Sequence, residues 1–199
     1  PPPVAAPYYE QTTEFTCGSA CLLMALARFI PQTRLDRANE IRLWREASTV
    51  FLATGLGGCD PYGLAVVLAR RGLKVRIGLS RRGPFFLETV RDPEKRLVME
   101  TVQEDFRREA ATLGIEVSRP GFSAHELAAG VERGAVAIVL ISGYRMFRRR
   151  VPHWVLAYGV DGRHLFIHDP WIEDRTGETL SDAAALPIPF HEFDRMSRW

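Results

Sequence analysis

No apolar run in the sequence approaches the roughly 18 residues that a membrane-spanning helix needs, so no membrane segment is expected. The opening Pro1–Pro7, PPPVAAP, has neither the charged nor the apolar region of a signal peptide. Neither sign of charge is in excess: 26 basic against 24 acidic side chains leave +2, which argues against a nucleic-acid partner. Cysteine is scarce, with three residues, and no compact Cys/His pair follows the closely spaced Cys17 and Cys21. A structural zinc is therefore disfavoured, and no metal or other cofactor is expected. Such a chain reads as cytoplasmic, with reduced thiols. Repeats are absent. The one biased stretch is a proline-rich arm over residues 1–9, which leaves 10–199 as a single domain with room for a large core.

The most informative stretch is Gln11 to Ile30, QTTEFTCGSACLLMALARFI. A polar, turn-prone approach ends at Cys17, and good helix formers with an apolar face (Leu22, Leu23, Leu26, Phe29) follow until Pro31 forbids continuation. This predicts a helix from about Cys17 to about Phe29, with Cys17 at its N-terminus. Free amides and the positive end of the helix dipole there favour a thiolate, the active form of a cysteine nucleophile. Gln11, six residues upstream, could donate with the Cys17 amide to an oxyanion. The bland alternatives are a small buried cysteine at a helix start, or one half of a metal site with Cys21 four residues on.

Further along, Thr33–Thr54 reads as helical and ends at TGLGGCD (Thr54–Asp60), whose glycines lack a Walker lysine or a full dinucleotide fingerprint. A substrate-lining turn or a plain loop fits better, and Gly57 and Gly58 are assigned to substrate binding. Asp60 caps a helix with Pro61 at its first position, Leu73–Leu79 alternates like a strand, and Asp92-Pro93 opens a long charged helix to about Leu113. Ile115–Ser118 fits a short strand, and SAHE (Ser123–Glu126) is a capping box for a helix to about Arg133. The last third turns to strands: Ala135–Ser142, His153–Val160 and His164–Asp169, the latter two forming a hairpin around Asp161-Gly162. Pro187–Met196 suggests one terminal helix. Helices followed by an antiparallel sheet indicate an α+β domain.

A thiolate nucleophile in acyl transfer also needs a general acid, and histidine suits neutral pH. Of the five histidines, His153 stands at a strand start after Pro152, where a side chain can face a cleft. With a three-residue loop Val160–Gly162, His153 would lie directly opposite Asp169, which could hold its imidazole toward Cys17; a two-residue loop would make the pair diagonal. Taken singly, His153 is a satisfied strand-end residue and Asp169-Pro170 a strand-terminating turn. Gln, Cys, His and Asp in this order, each in the setting its role requires, are a stronger signal than any one of them.

The blocks QTTEFTCGSACLLMAL and PHWVLAYGVDGRHLFIHDPW resemble the bacteriocin-processing, double-glycine-leader cysteine peptidases, family thirty-nine of the papain-like superfamily, and their stand-alone relatives. The resemblance implies a papain-like cysteine peptidase fold with a helical N-terminal half packed on an antiparallel sheet. It also implies Cys17 as nucleophile, His153 as general acid/base, Asp169 as orienting residue and Gln11 in the oxyanion hole. GLGGCDPYGLAVVLARRGLKV and LPIPFHEFDRM further resemble a stand-alone peptidase-like subgroup, sometimes joined to acetyltransferase domains. An acetyltransferase domain or a peptide-modifying enzyme is thus an expected functional partner. Leu56 stands where that subgroup often has His, and Ser19 where it often has Pro. No transporter or nucleotide-binding region accompanies these residues.

The expected function is a cysteine peptidase or amidohydrolase acting on a peptide or protein through a Cys17 thioester. An acyltransferase using the same intermediate and a catalytically silent peptide-binding module stay open beside it. Trp154, next to His153, joins the substrate-binding set. So do Arg148 and Arg149 of RMFRRR (Arg145–Arg150), a basic loop that delivers His153 and could recognise an acidic peptide, although charge runs commonly serve solubility.

Overall fold

The computed structural model of the chain describes residues 6–142 and 152–197. Six α-helices and eight strands are found among them, in an α+β architecture consistent with a papain-like fold. Helix α1, Cys17–Phe29, stops where its sequence dictates, with Ile30 leaving helical geometry ahead of Pro31. Helix α2, Arg37–Ala47, is capped by the Asp36 side chain on the Asn39 amide. It is shorter than the expected helical stretch to Thr54: Val50 has φ of 72°, a left-handed conformation that interrupts a helix, and a small hairpin follows. That hairpin pairs β1, Phe51–Leu52, with β2, Gly55–Leu56.

Asp60 caps α3, Pro61–Arg70, through bonds from the Tyr62 and Gly63 amides. Asp92 does the same for α4, Pro93–Thr112. Strand β3, Arg76–Gly78, lies before α4 and β4, Glu116–Ser118, after it; the two pair in parallel as a separate two-stranded sheet. A helical crossover between the strands is what permits the parallel direction. The capping box of Ser123 and Glu126 opens α5, Ala124–Glu132.

The main sheet is antiparallel, in the order β5-β6-β7-β8: Ala137–Ser142, Pro152–Val160, His164–His168 and Leu186–Pro189. Strand β8 occupies part of the stretch expected to be one helix, and only Phe190–Met196 is helical, as α6. Its prolines are tolerated because β8 is an edge strand, where missing amide donors leave no ladder bond unmade.

Side-chain alternation splits the sheet between two cores. Trp154 and Leu156 pack with α1, α3 and Leu43 of α2, together with Ile138 and Leu140. Val155, Ala157, Leu165 and Ile167 pack on the opposite face with α5 and with Phe193 and Met196 of α6. Helix α1 is thereby pinned against β6, the strand that begins beside His153. Among the described residues no helix is long and apolar enough to cross a membrane.

Candidate active site

Cys17 is the first residue of α1, and the residue before it, Thr16, makes no side-chain cap. The Thr16 hydroxyl turns back instead, donating to the Thr13 carbonyl at 3.0 Å. The Thr16 side chain thus caps none of the first-turn amides of α1, while the Ser19 amide turns to the Cys59 side chain; a helix N-terminus with free amides favours negative charge. Close packing holds the helix start in place. A Cβ built on Gly18 would stand 2.7 Å from Cys59 Cβ and 3.1 Å from Trp154 Cδ1, so a glycine is required there. The Trp154 indole donates to the Cys59 carbonyl at 3.1 Å, which ties β6 to the segment before α3.

His153, the second residue of β6, bonds through Nε2 to Asp169 Oδ1 at 2.6 Å. Both are buried, at 7% and 1% exposure. Asp169 Oδ1 also accepts the Trp171 amide at 2.9 Å, which fixes the carboxylate from its own chain. Burial alone would push the His153 imidazole down. The Asp169 charge and hydrogen bond, followed by a hydrogen bond with the Cys17 side chain, outweigh it and raise the ring from 6.5 to about 10. With Nε2 on Asp169, Nδ1 is the nitrogen left for Cys17. The imidazole thus stands between thiol and carboxylate.

The His153–Asp169 pair does not arise as the sequence suggests. Ladder pairs run Leu156 with His168 and Ala157 with Ile167, then shift across a bulge to Gly159 with Phe166 and Val160 with Leu165. The three residues between the strands are 161–163 rather than Val160–Gly162, and the Asp161 carboxylate takes the Arg163 and His164 amides in a local turn. Continuing the Leu156–His168 register would set position 171 opposite His153, so Asp169 meets it on the diagonal rather than face to face.

Gln11 is buried, and its backbone amide donates to the Pro170 carbonyl at 2.8 Å, beside Asp169. Its side-chain nitrogen donates to the Thr13 carbonyl at 2.7 Å, one of the two donors an amide carries. Its side-chain oxygen is buried with no hydrogen-bond partner among the described residues. The chain thus brings Cys17, His153 and Asp169 into one bonded series, with Gln11 tied to its Asp169 end.

The remaining candidates are dispersed in role. Gly57 sits inside a tight turn: its carbonyl accepts from Trp44 Nε1 at 2.8 Å, and an added Cβ would meet Thr49 Oγ1 at 2.4 Å. Gly58 is more open, an added Cβ finding only the Phe15 carbonyl at 3.8 Å. Trp154 is buried in the core behind Cys17. Arg148 and Arg149 lie outside the described residues.

Cys21 and Cys59 are fully buried, and burial pushes both thiols up. Among the described residues no group of three His, Cys, Asp or Glu side chains could hold a metal ion. Two residues beside the site escaped sequence reasoning. Tyr8, whose phenol is pushed up by burial and then by the Asp169 charge, lies near that carboxylate. Glu40 on α2 is fully buried and bonded to the Gln11 segment; helical periodicity gives a buried glutamate no mark that an exposed one lacks.

A thiol at a helix N-terminus, an imidazole bonded to it and a carboxylate on the far ring nitrogen match the geometry that covalent acyl transfer requires. No curated protein matches the chain. A family model described as Peptidase_C39 like family matches residues 6–199, and the chain therefore belongs to the Peptidase_C39 like family.

Proposed function

We propose that the protein is a cysteine peptidase or amidohydrolase that cleaves a peptide amide through a thioester on Cys17. The observation that carries this reading is the position of His153, bonded to Asp169 on one side and to Cys17 on the other. Cys17 sulfur attacks the carbonyl carbon, and negative charge collects on the oxygen. The Cys17 amide and the Gln11 side chain donate to it. The C–N bond then breaks as His153 hands its proton to the leaving amine. Water adds to the thioester while His153 takes up a proton, releasing the acid and restoring the thiol.

Asp169 keeps Nε2 engaged throughout, so the ring presents Nδ1 in every step. Gly58, open and adjacent to Phe15, suits the border of a substrate cleft. Arg148 and Arg149 are assigned to acidic side chains of the peptide. Their test is whether charge reversal raises KM for acidic peptides more than for neutral ones. Within its family the chain is read as a cytoplasmic relative of the leader peptidases, similar to their stand-alone peptidase-like subgroup.

An electrophilic peptide probe tests the mechanism. Labelling is expected at Cys17 in the wild type and should fall sharply in His153→Ala. Equal labelling of both proteins would sink the reading. Added amines then show whether the thioester passes to water or to a second nucleophile.

A further inference from the structure

Glu40, in the first turn of α2, is fully buried, and among the described residues its side-chain hydrogen bonds go to one short segment. Its Oε1 accepts the Thr12 amide at 2.8 Å. Oε2 accepts the Thr12 hydroxyl at 2.7 Å and the Tyr9 hydroxyl at 3.0 Å. Among the described residues no cationic side chain forms an ion pair with it. A buried carboxylate is costly unless donors satisfy it, and here the donors are Tyr9 and Thr12, which bracket Gln11.

Gln11 has few holds of its own. Its backbone is tied to Pro170 and its side chain to Thr13, itself bonded to Thr16 just before Cys17. Without Glu40, the Tyr9–Thr12 stretch loses its hydrogen bonds to α2, and the Phe15–Trp44 ring contact further along remains. We infer that Glu40 is a positioning residue: it acts through Tyr9 and Thr12 to fix the Gln11 amide where the oxyanion develops. The inference rests on the acyl-transfer reading above.

A misplacement of about 1 Å in a donor can cost on the order of a hundredfold, so Glu40→Ala should slow acylation by about 10- to 100-fold. The readout is the rate of the p-nitrophenol burst from an N-acetyl dipeptide p-nitrophenyl ester in excess over enzyme. Alkylation of Cys17 by iodoacetamide needs the thiolate but no oxyanion donor, and should stay within about twofold of wild type. In a Gln11→Ala background the same Glu40→Ala change should cost less than about threefold, because the group it positions is gone. Glu40→Gln, which keeps an acceptor for the Thr12 amide, should recover part of the rate.

If Glu40→Ala fails to fold, the pair Tyr9→Phe and Thr12→Val removes two of the three bonds at nearly constant volume. It should show the same pattern at smaller size. Equal losses with and without Gln11, or acylation and alkylation falling together, would mean a merely structural role and overturn the inference. A wild-type burst untouched by Glu40→Ala overturns the positioning role alone. A wild type that is alkylated at Cys17 yet gives no burst overturns the acyl-transfer reading and this inference with it.

Discussion

His153 Nε2 and Asp169 Oδ1 lie 2.6 Å apart although the two residues do not face each other across the β6–β7 hairpin. The long imidazole spans the diagonal, and the Trp171 amide holds the carboxylate at its far reach. The pair keeps the ring charged well above the ordinary histidine range, to about 10. Replacing the carboxylate removes the largest influence that raises the ring, while burial continues to favour the neutral form. Asp169→Asn should therefore move the alkaline limb of kcat/KM to lower pH and lower the plateau on the order of 10²- to 10⁴-fold. A pH profile with the same limb in both proteins would remove Asp169 from this role.

Of the three cysteines, Cys21 and Cys59 have no exposed surface and thiols pushed up by burial, whereas Cys17 starts a helix and touches an imidazole. Iodoacetamide at neutral pH should add one carbamidomethyl group to the native chain, at Cys17, and three to the chain in denaturant. Mass spectrometry of peptides decides it. Labelling of Cys21 or Cys59 at a comparable rate in the native protein would contradict the burial described.

Gly18 has no room for a methyl group against Cys59 and Trp154. Gly18→Ala should destabilise the fold by about 1–3 kcal/mol, the ordinary range for overpacking. Cys59→Gly, which vacates the contacted Cβ and Sγ, should cost less in the Gly18→Ala background than in the wild type. Purely additive costs in urea denaturation would show that the strain lies elsewhere.

Asp60 caps α3 from a fully buried position, where desolvation raises its carboxyl from 3.8 to about 6 against the opposing amides of Gly63 and Tyr62 and the charge of Arg107. The folded value lies above the unfolded one, so the native state binds the proton more tightly. Its contribution to stability is fully present below about pH 4, declines as pH rises toward 6, and is then lost. Two units correspond to about 3 kcal/mol. Stability of the wild type relative to Asp60→Asn should fall by about that amount between pH 4 and pH 7. Parallel stability curves would show that Asp60 ionises in the fold as easily as in the unfolded chain.

Sequence alone determined the parts whose energetics are local. The span of α1, the caps at Asp60 and Asp92 and the box at Ser123 follow from side chains that satisfy amides two or three residues away, or from a proline that cannot continue a helix. The β-rich runs that become β5, β6 and β7 are equally legible, since their residue types and flanking turn residues are local features. Candidate residues such as Cys17 and His153 stood out for the same reason, each marked by its position in an element.

Tertiary structure decided what depends on surfaces far apart in the chain. The chain leaves α2 at Ser48 and turns through Val50 into a hairpin, β8 accepts two prolines because nothing among the described residues pairs beyond it, and β3 runs parallel to β4 because α4 intervenes. The bulge near Gly159 shifts the register, so the Asp169 contact is diagonal. Glu40 is buried only because the segment around Gln11 folds over α2 and supplies its donors. A carboxylate's burial is set by partners distant in sequence, and no periodicity within its own helix carries that information.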